Sequence, residues 1–194
     1  MREKDRFRSD RFLGGSHQSL PVYLSQKRLC EVRCLVLLDD MYNWTGAKHM
    51  IAEGDTYMKY PDDETFPPLM VNYVKLDRVP KFDNRWSQVL SAMRAGDYFV
   101  TSGDVLIRNS GLEGSGAKRT LTAQTEWTFP PEFAEVVSGD GDKVDRQIIS
   151  ISDKAPFSSH KFRIPFDATS KKWVRFAVWD SAGNGAFTQP VHLK

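Results

Sequence analysis

Four side chains able to bind a divalent metal ion lie in the irregular stretch of residues 39–68. They are Asp39, Asp40, His49 and Asp55, which supply three carboxylates and one imidazole. A metal held there would activate water for attack on an ester, as in a metal-dependent phosphoesterase with a reduced site. No H-x-H, D-x-H or H-x-x-x-H pair fixes two of these ligands locally, so the pattern favours solvated carboxylates and a surface histidine.

A second group of carboxylates follows Ser138. Asp140, Asp142 and Asp145 are spaced like part of a calcium loop, but Ile151 stands where the glutamate at about the twelfth position would be needed. We therefore predict a turn here rather than a calcium site. No cofactor is predicted for the chain, and a divalent metal enters only under the phosphoesterase alternative.

Three tryptophans offer a different chemistry. Trp127, Trp173 and Trp179 could form an aromatic platform for a sugar ring, which would make the chain a carbohydrate- or ligand-binding module. Aromatic side chains on sandwich strands more often belong to the core. The two interpretations differ in whether two of the rings lie exposed and roughly coplanar.

The elements that must position these residues are mostly strands. Alternating apolar residues over 173–179 predict a strand covered at least in part on both faces, followed by a turn at 180–185 and a second strand. Further alternating runs predict strands at 119–128, 133–137, 143–151 and 162–166. The predicted fold class is mainly β: a C-terminal antiparallel β-sandwich of Ig-like type, preceded by a strand–helix–strand segment and an irregular N-terminal region.

Residue composition and periodicity divide the chain into three parts. Residues 1–68 are an irregular N-terminal extension, in which 24–38 predicts an amphipathic helix or a strand. Residues 69–108 are a strand–helix–strand connector, with Asp83 or Asn84 as the helix cap and Gly96 just past its end. Residues 109–194 are the β-sandwich domain, and its first ten residues are rich in glycine and serine, which is typical of a flexible connector.

Composition excludes several classes. The chain has 194 residues and a formal net charge of +2, which gives no reason to expect nucleic acid as a partner. No apolar run has the length of a signal peptide or of a membrane span, so the localisation stays open. Cys30 and Cys34 are the only cysteines, too few for a disulfide framework or a structural zinc site, and we interpret them as small apolar side chains.

Two stretches resemble a known family. The run MRAGDYFVTSGDVLI at 93–107 and the run WVRFAVWDSAGNGAFTQPV at 173–191 are similar to the C-terminal part of CehA/McbA-type metallohydrolases, relatives of the polymerase-and-histidinol-phosphatase phosphoesterases. The likeness covers about residues 69–194. It implies a β-sandwich that follows a metal-binding barrel, of which residues 1–68 would be a remnant. The family's histidine-rich signatures do not occur, so no metal ligand is transferred to this sequence.

We therefore predict a noncatalytic accessory or scaffold portion that resembles the end of a bacterial metal-dependent hydrolase. The ligand-binding module and the reduced phosphoesterase stay as alternatives. An upstream catalytic region or a second copy of the chain is the expected partner, because a helix with Trp86, Val89, Leu90 and Met93 on one face would leave an apolar patch for a homodimer to cover.

Overall fold

The computed structural model describes residue 9 and residues 14–18, 39–44, 48–53, 70–81 and 86–193. Several predicted features lie outside these residues. They are the helix or strand at 24–38 with its two cysteines, the ligand candidate Asp55, and the helix caps Asp83 and Asn84.

The larger sheet has seven antiparallel strands. Its strands are β3 (Val71–Val74), β4 (Tyr98–Thr101), β7 (Pro131–Gly139), β8 (Val144–Ser150), β10 (Trp173–Asp180), β11 (Gly185–Thr188) and β12 (Val191–His192). The spatial order is β3–β4–β11–β10–β7–β8, and β12 pairs with the first residues of β10. The predicted strand–turn–strand at 173–191 is confirmed and lies in the interior of this sheet.

A smaller sheet packs on one face of the larger one. It contains β5 (Val105–Ser115), β6 (Lys118–Trp127) and β9 (Ser158–Asp167), in the order β5–β6–β9. Apolar side chains at alternate positions of β6 and β9, such as Leu121, Phe162 and Ile164, form a buried core with Val174, Phe176 and others from the larger sheet. The predicted mainly-β sandwich is confirmed.

The flexible connector predicted at 109–118 is wrong. β5 and β6 form one long antiparallel pair from Val105 opposite Trp127 to Ser115 opposite Lys118. The glycines that suggested a linker instead shape the hairpin, since Gly114 and Gly116 adopt positive φ angles of 88° and 66° at its end. Strands from either side of the expected boundary at 108/109 also share one sheet, because β4 pairs with β11.

β10 is buried on both faces, as its sequence predicts. Val174, Phe176 and Val178 face the smaller sheet, whereas Trp173 and Trp179 belong to a second core on the opposite side. Burying a large apolar side chain contributes about 1.5–3 kcal/mol. The second core therefore requires a further layer over the larger sheet.

The described part of residues 1–68 supplies that layer. It comprises β1 (Gly14–Gln18), a helical segment at 39–44 called α1, and β2 (His49–Glu53), which pairs with β1 in parallel. Met41, Tyr42 and Met50 lie in the core with Trp173 and Trp179. The sequence of 39–68 predicts a long loop or a set of short pieces, and α1 and β2 are such short pieces. Their apolar side chains are too few to show a period.

The predicted helix is confirmed as α2 (Ser87–Ala95), but its N-cap is Trp86 rather than the predicted Asp83 or Asn84. Gly96 ends the helix in the left-handed conformation with φ 80°. Its N–H donates to the Met93 carbonyl, and the N–H of Asp97 donates to the Ala92 carbonyl.

Of the predicted apolar face, Met93 packs against the second core and Val89 is partly buried, whereas Trp86 and Leu90 are about half exposed, at 49% and 47%. No helix of the described residues is both long and apolar enough to span a bilayer.

Candidate functional site

The sequence pattern favours Asp39 as a solvated carboxylate, and this is wrong, because Asp39 is fully buried in an ionic cluster. Its Oδ1 accepts a hydrogen bond from Nε of Arg175 at 2.6 Å, and its Oδ2 accepts one from Nη2 at 2.7 Å. Arg146 also pairs with this carboxylate. Within the described ranges, no three His, Cys, Asp or Glu side chains are grouped as metal ligands. The oxygens of Asp39 are therefore committed to guanidinium groups.

Glu135 completes this cluster. Its oxygens lie 3.5 Å from Nη1 of Arg175 and 3.3 Å from Nη1 of Arg146, and Oε1 also accepts the indole N–H of Trp179 at 3.3 Å. Asp39, Glu135 and the Arg175 side chain are fully buried, while Arg146 reaches solvent. Burial opposes the charged form of Arg175, but the two carboxylates outweigh it and raise its pKa. The carboxylates of the cluster are thus paired with guanidinium groups and leave no open coordination position for a metal ion.

The aspartates after Ser138 form a turn, as predicted. Oδ1 of Asp140 accepts the backbone N–H groups of Asp142 and Lys143, both at 2.7 Å, and these bonds hold the pKa of Asp140 below its usual value. The carboxylate of Asp145 pairs instead with Lys171. The carboxylates are thus used to shape and flank the hairpin.

The tryptophan platform does not form. Trp127, Trp173 and Trp179 are only 4%, 1% and 2% exposed, and Trp127 lies in a different core from the other two. Gly185 makes room for one of these rings, because a Cβ there would lie 1.8 Å from the ring of Trp179. The core interpretation of these residues is confirmed.

A cavity of about 800 Å³ lies among the described residues. Its wall is built by the end of β3, the corner between α2 and β4, the first half of β5, the segment from β11 to β12, and one side chain of β2. Small-molecule sites typically measure about 300–1,000 Å³. The cavity is therefore the candidate functional site.

Side-chain amides fix β2 at this cavity. Gln189 accepts the N–H of Met50 and donates to its carbonyl, both at 2.8 Å, and Asn72 makes the same pair of bonds to Ala52 at 2.7 and 3.2 Å. The hydroxyl of Tyr98 also donates to the Met50 carbonyl at 2.9 Å. Amide groups thus replace a neighbouring strand along this edge of β2.

His49 begins β2 and lies in the cavity wall. Its ring packs where Gly96 has no side chain, since a Cβ there would lie 2.5 Å from Cε1 of His49. Burial lowers the pKa of His49, the neighbouring His192 and Lys48 act in the same direction, and the Arg94 carbonyl and Asp97 act against it. The ring is consequently neutral near pH 7.

An aromatic pair forms another part of the wall. Tyr73 and Phe99 lie opposite each other in the β3–β4 pairing, and their rings stack with centroids 5.1 Å apart at an interplanar angle of 16°. Phe99 packs against the core between the two sheets, whereas Tyr73 is 46% exposed. The ring of Tyr73 is therefore held against a second ring and keeps about half of its surface exposed.

Polar residues line the same cavity as Tyr73. They are His49, Arg94, Asp97, Asn109, Gln189 and His192. Of the metal candidates that the structure describes, only His49 lines the cavity, together with His192 from the other end of the chain. These two histidines and Asp97 are not grouped as a set of metal ligands among the described residues.

Sequence reasoning missed this cavity because its residues are far apart in the chain and follow no common spacing. Tyr73 gave one signal for the cavity. It lies on the same face of β3 as Val71 and Lys75, and β3 is an edge strand that exposes this face. The ionic cluster left a clearer signal, because each of its two strand residues is charged between apolar residues of the same strand face. Arg175 lies between Trp173 and Ala177, and Glu135 lies between Phe133 and Val137.

The chain was compared with protein-family models, with curated proteins and with solved structures, and none of these comparisons finds a match.

Proposed function

We propose that this chain is a noncatalytic accessory β-sandwich domain that binds a carbohydrate or a similar polar ring compound in the cavity beside β4. The stacked, half-exposed ring of Tyr73 carries the proposal. An aromatic face held rigid by a second ring offers apolar contact area at little entropic cost, and surrounding polar groups orient a hydroxylated ligand.

Other features of the wall support binding. Asn109 and Gln189 carry amides, Asp97 a carboxylate, and Arg94 a guanidinium. Such planar groups accept or donate paired hydrogen bonds, which suits adjacent hydroxyl groups. The side-chain amide of Gln189 is already used by Met50, so the groups left for a ligand are chiefly those of β5 and the α2–β4 corner.

The resemblance to the C-terminal part of CehA/McbA-type hydrolases remains a hypothesis about the protein in which this domain functions. In that context, the domain would serve an upstream catalytic region by binding its substrate or by stabilising it. The half-exposed Trp86 and Leu90 of α2 offer a surface for such a region or for a second copy of the chain, and the homodimer stays a prediction.

The test is a titration of the protein with a panel of neutral and acidic oligosaccharides, followed by calorimetry or NMR. We expect Tyr73→Ala to weaken binding by about tenfold, the effect of losing one well-placed aromatic contact. Tyr73→Phe is the matched control and should bind like the native protein, because it keeps the ring.

Two results would contradict the proposal. One is saccharide binding that Tyr73→Ala leaves unchanged in a protein whose circular dichroism is native. The other is hydrolysis of a bound ligand, which would show that the domain is catalytic.

A further inference from the structure

The charges at the cavity are unevenly distributed. Lys75, Arg94 and Arg108 lie in its wall, whereas Asp97 is the only carboxylate among the described residues that line it. Arg108 is balanced by Glu126, with Nε and Oε1 2.6 Å apart. Neither Lys75 nor Arg94 forms an ion pair with a residue that the structure describes. Two cationic residues without an ion pair to a described residue therefore line the cavity, and one carboxylate among its described lining residues offsets them.

Lys75 is placed next to the aromatic face. It follows Tyr73 by two residues, and its N–H donates to the carbonyl of Asp97 at 2.8 Å, which continues the β3–β4 pairing by one step. Side chains two residues apart on an extended strand project to the same side, about 7 Å apart. The Lys75 ammonium group can thus reach a substituent of a ring that lies on Tyr73.

Arg94 lies on a different element of the cavity wall from Lys75. It occupies the last turn of α2, where its charge also complements the negative end of the helix dipole. Arg94 and Lys75 both border the corner at which α2 leads into β4. A ring seated on Tyr73 would have its substituents between these two cations.

We infer that the ligand is an acidic saccharide, whose pyranose ring packs on Tyr73 and whose carboxylate or phosphate group binds Lys75 and Arg94. This inference rests on the proposed function, since it names the class of ligand for the same cavity. Charge-assisted hydrogen bonds are stronger than neutral ones, so the acidic group would supply much of the selectivity.

Three monosaccharides with the same ring separate the alternatives: glucose, glucuronate and glucose 6-phosphate. Each is titrated into the isotopically labelled protein, and the affinity is read from chemical-shift changes at the cavity. We expect glucuronate, glucose 6-phosphate or both to bind about tenfold more tightly than glucose. Preference for one acid would identify carboxylate or phosphate as the recognised group.

Substitutions locate the charge effect. Lys75→Gln and Arg94→Gln should each weaken binding of the preferred acid by about two- to fivefold, as expected for a solvent-exposed ion pair, and leave glucose unchanged. Lys161→Gln, on the exposed side of β9, is the matched control and should change nothing. Added salt should weaken binding of the acid only.

The outcomes distinguish this inference from the proposed function. If glucose binds at the Tyr73 face as tightly as both acids, the charge inference is wrong while the binding function stands. If none of the three sugars, nor the oligosaccharide panel, perturbs the cavity, both are wrong.

Discussion

Arg175 shows how a single residue joins the N-terminal layer to the sandwich. It projects from the centre of β10 and pairs with Asp39 of α1 and Glu135 of β7, two carboxylates without solvent contact. Desolvating these groups is costly, and only their mutual pairing compensates. The cluster is therefore sensitive to the loss of any one member.

We expect Arg175→Met to lower the free energy of unfolding by about 3–5 kcal/mol, because two buried carboxylates lose their buried partner and keep only the partly exposed Arg146. Chemical denaturation measures the change. Arg163→Met is the control: Arg163 pairs with Glu113 at 2.9 Å on the surface, and its loss should cost less than about 1 kcal/mol. Equal effects of the two substitutions would contradict the role given to the cluster.

His49 gives a pH-dependent prediction. Burial lowers its pKa in the folded protein below the usual 6.5, so the unfolded chain takes up this proton first as the pH falls. The stability contributed by the neutral ring is complete above pH 6.5 and is lost on further acidification. Thermal unfolding from about pH 7.5 to about pH 5 should thus show a smaller loss in His49→Asn than in the native chain. An identical loss in both would mean that His49 is protonated equally in the folded and unfolded states.

At the scale of elements, β2 depends on side chains for one of its edges. Gln189 and Asn72 satisfy the backbone groups of Met50 and Ala52, and β1 pairs along the strand by ordinary backbone bonds. Such a strand is held by a few specific contacts from distant parts of the chain. It is correspondingly vulnerable to single substitutions.

Gln189→Met keeps the volume of the side chain but removes both hydrogen bonds to Met50. We expect amide hydrogen exchange at Met50 to become faster by at least about fivefold, the equivalent of one lost hydrogen bond. The control Gln147→Met, on the exposed side of β8, should leave this amide unaffected. Unchanged protection in Gln189→Met would show that β1 alone holds the strand.

The sequence predicts elements well where one side chain pattern runs for a whole strand or helix. The strands around residues 121, 135, 164 and 176 and the helix ending at Gly96 are confirmed for that reason. The hairpin at 109–118 was misread because glycine and serine have the composition of a linker, although their neighbours pair across the sheet. Local composition cannot report a partner strand.

The candidate site could not be predicted in the same way. Tyr73 and Lys75 are two residues apart, but His49, Arg94 and His192 join them only through the fold. Sequence reasoning considered His49 and Asp39 for a metal site and favoured solvated side chains, whereas the ion pairs with Arg175 and Arg146 hold Asp39 in the core. The cavity follows from sheet order, which no spacing encodes.

At the scale of the whole molecule, the larger sheet is the middle of three layers. The smaller sheet covers one face, and α1, β1 and β2 lie on the side of the second core. The cavity lies where β4 begins and β11 ends, and it draws residues from all three layers. A ligand bound there would therefore contact every layer of the protein.

The most direct test of the binding function is a crystal structure of the protein soaked with glucuronate and, separately, with an oligosaccharide selected from the panel. We predict density for a pyranose ring stacked on the outer face of Tyr73, with its polar groups toward the α2–β4 corner. An empty Tyr73 face at a saturating concentration, or a sugar bound only elsewhere on the surface, would contradict the proposed function.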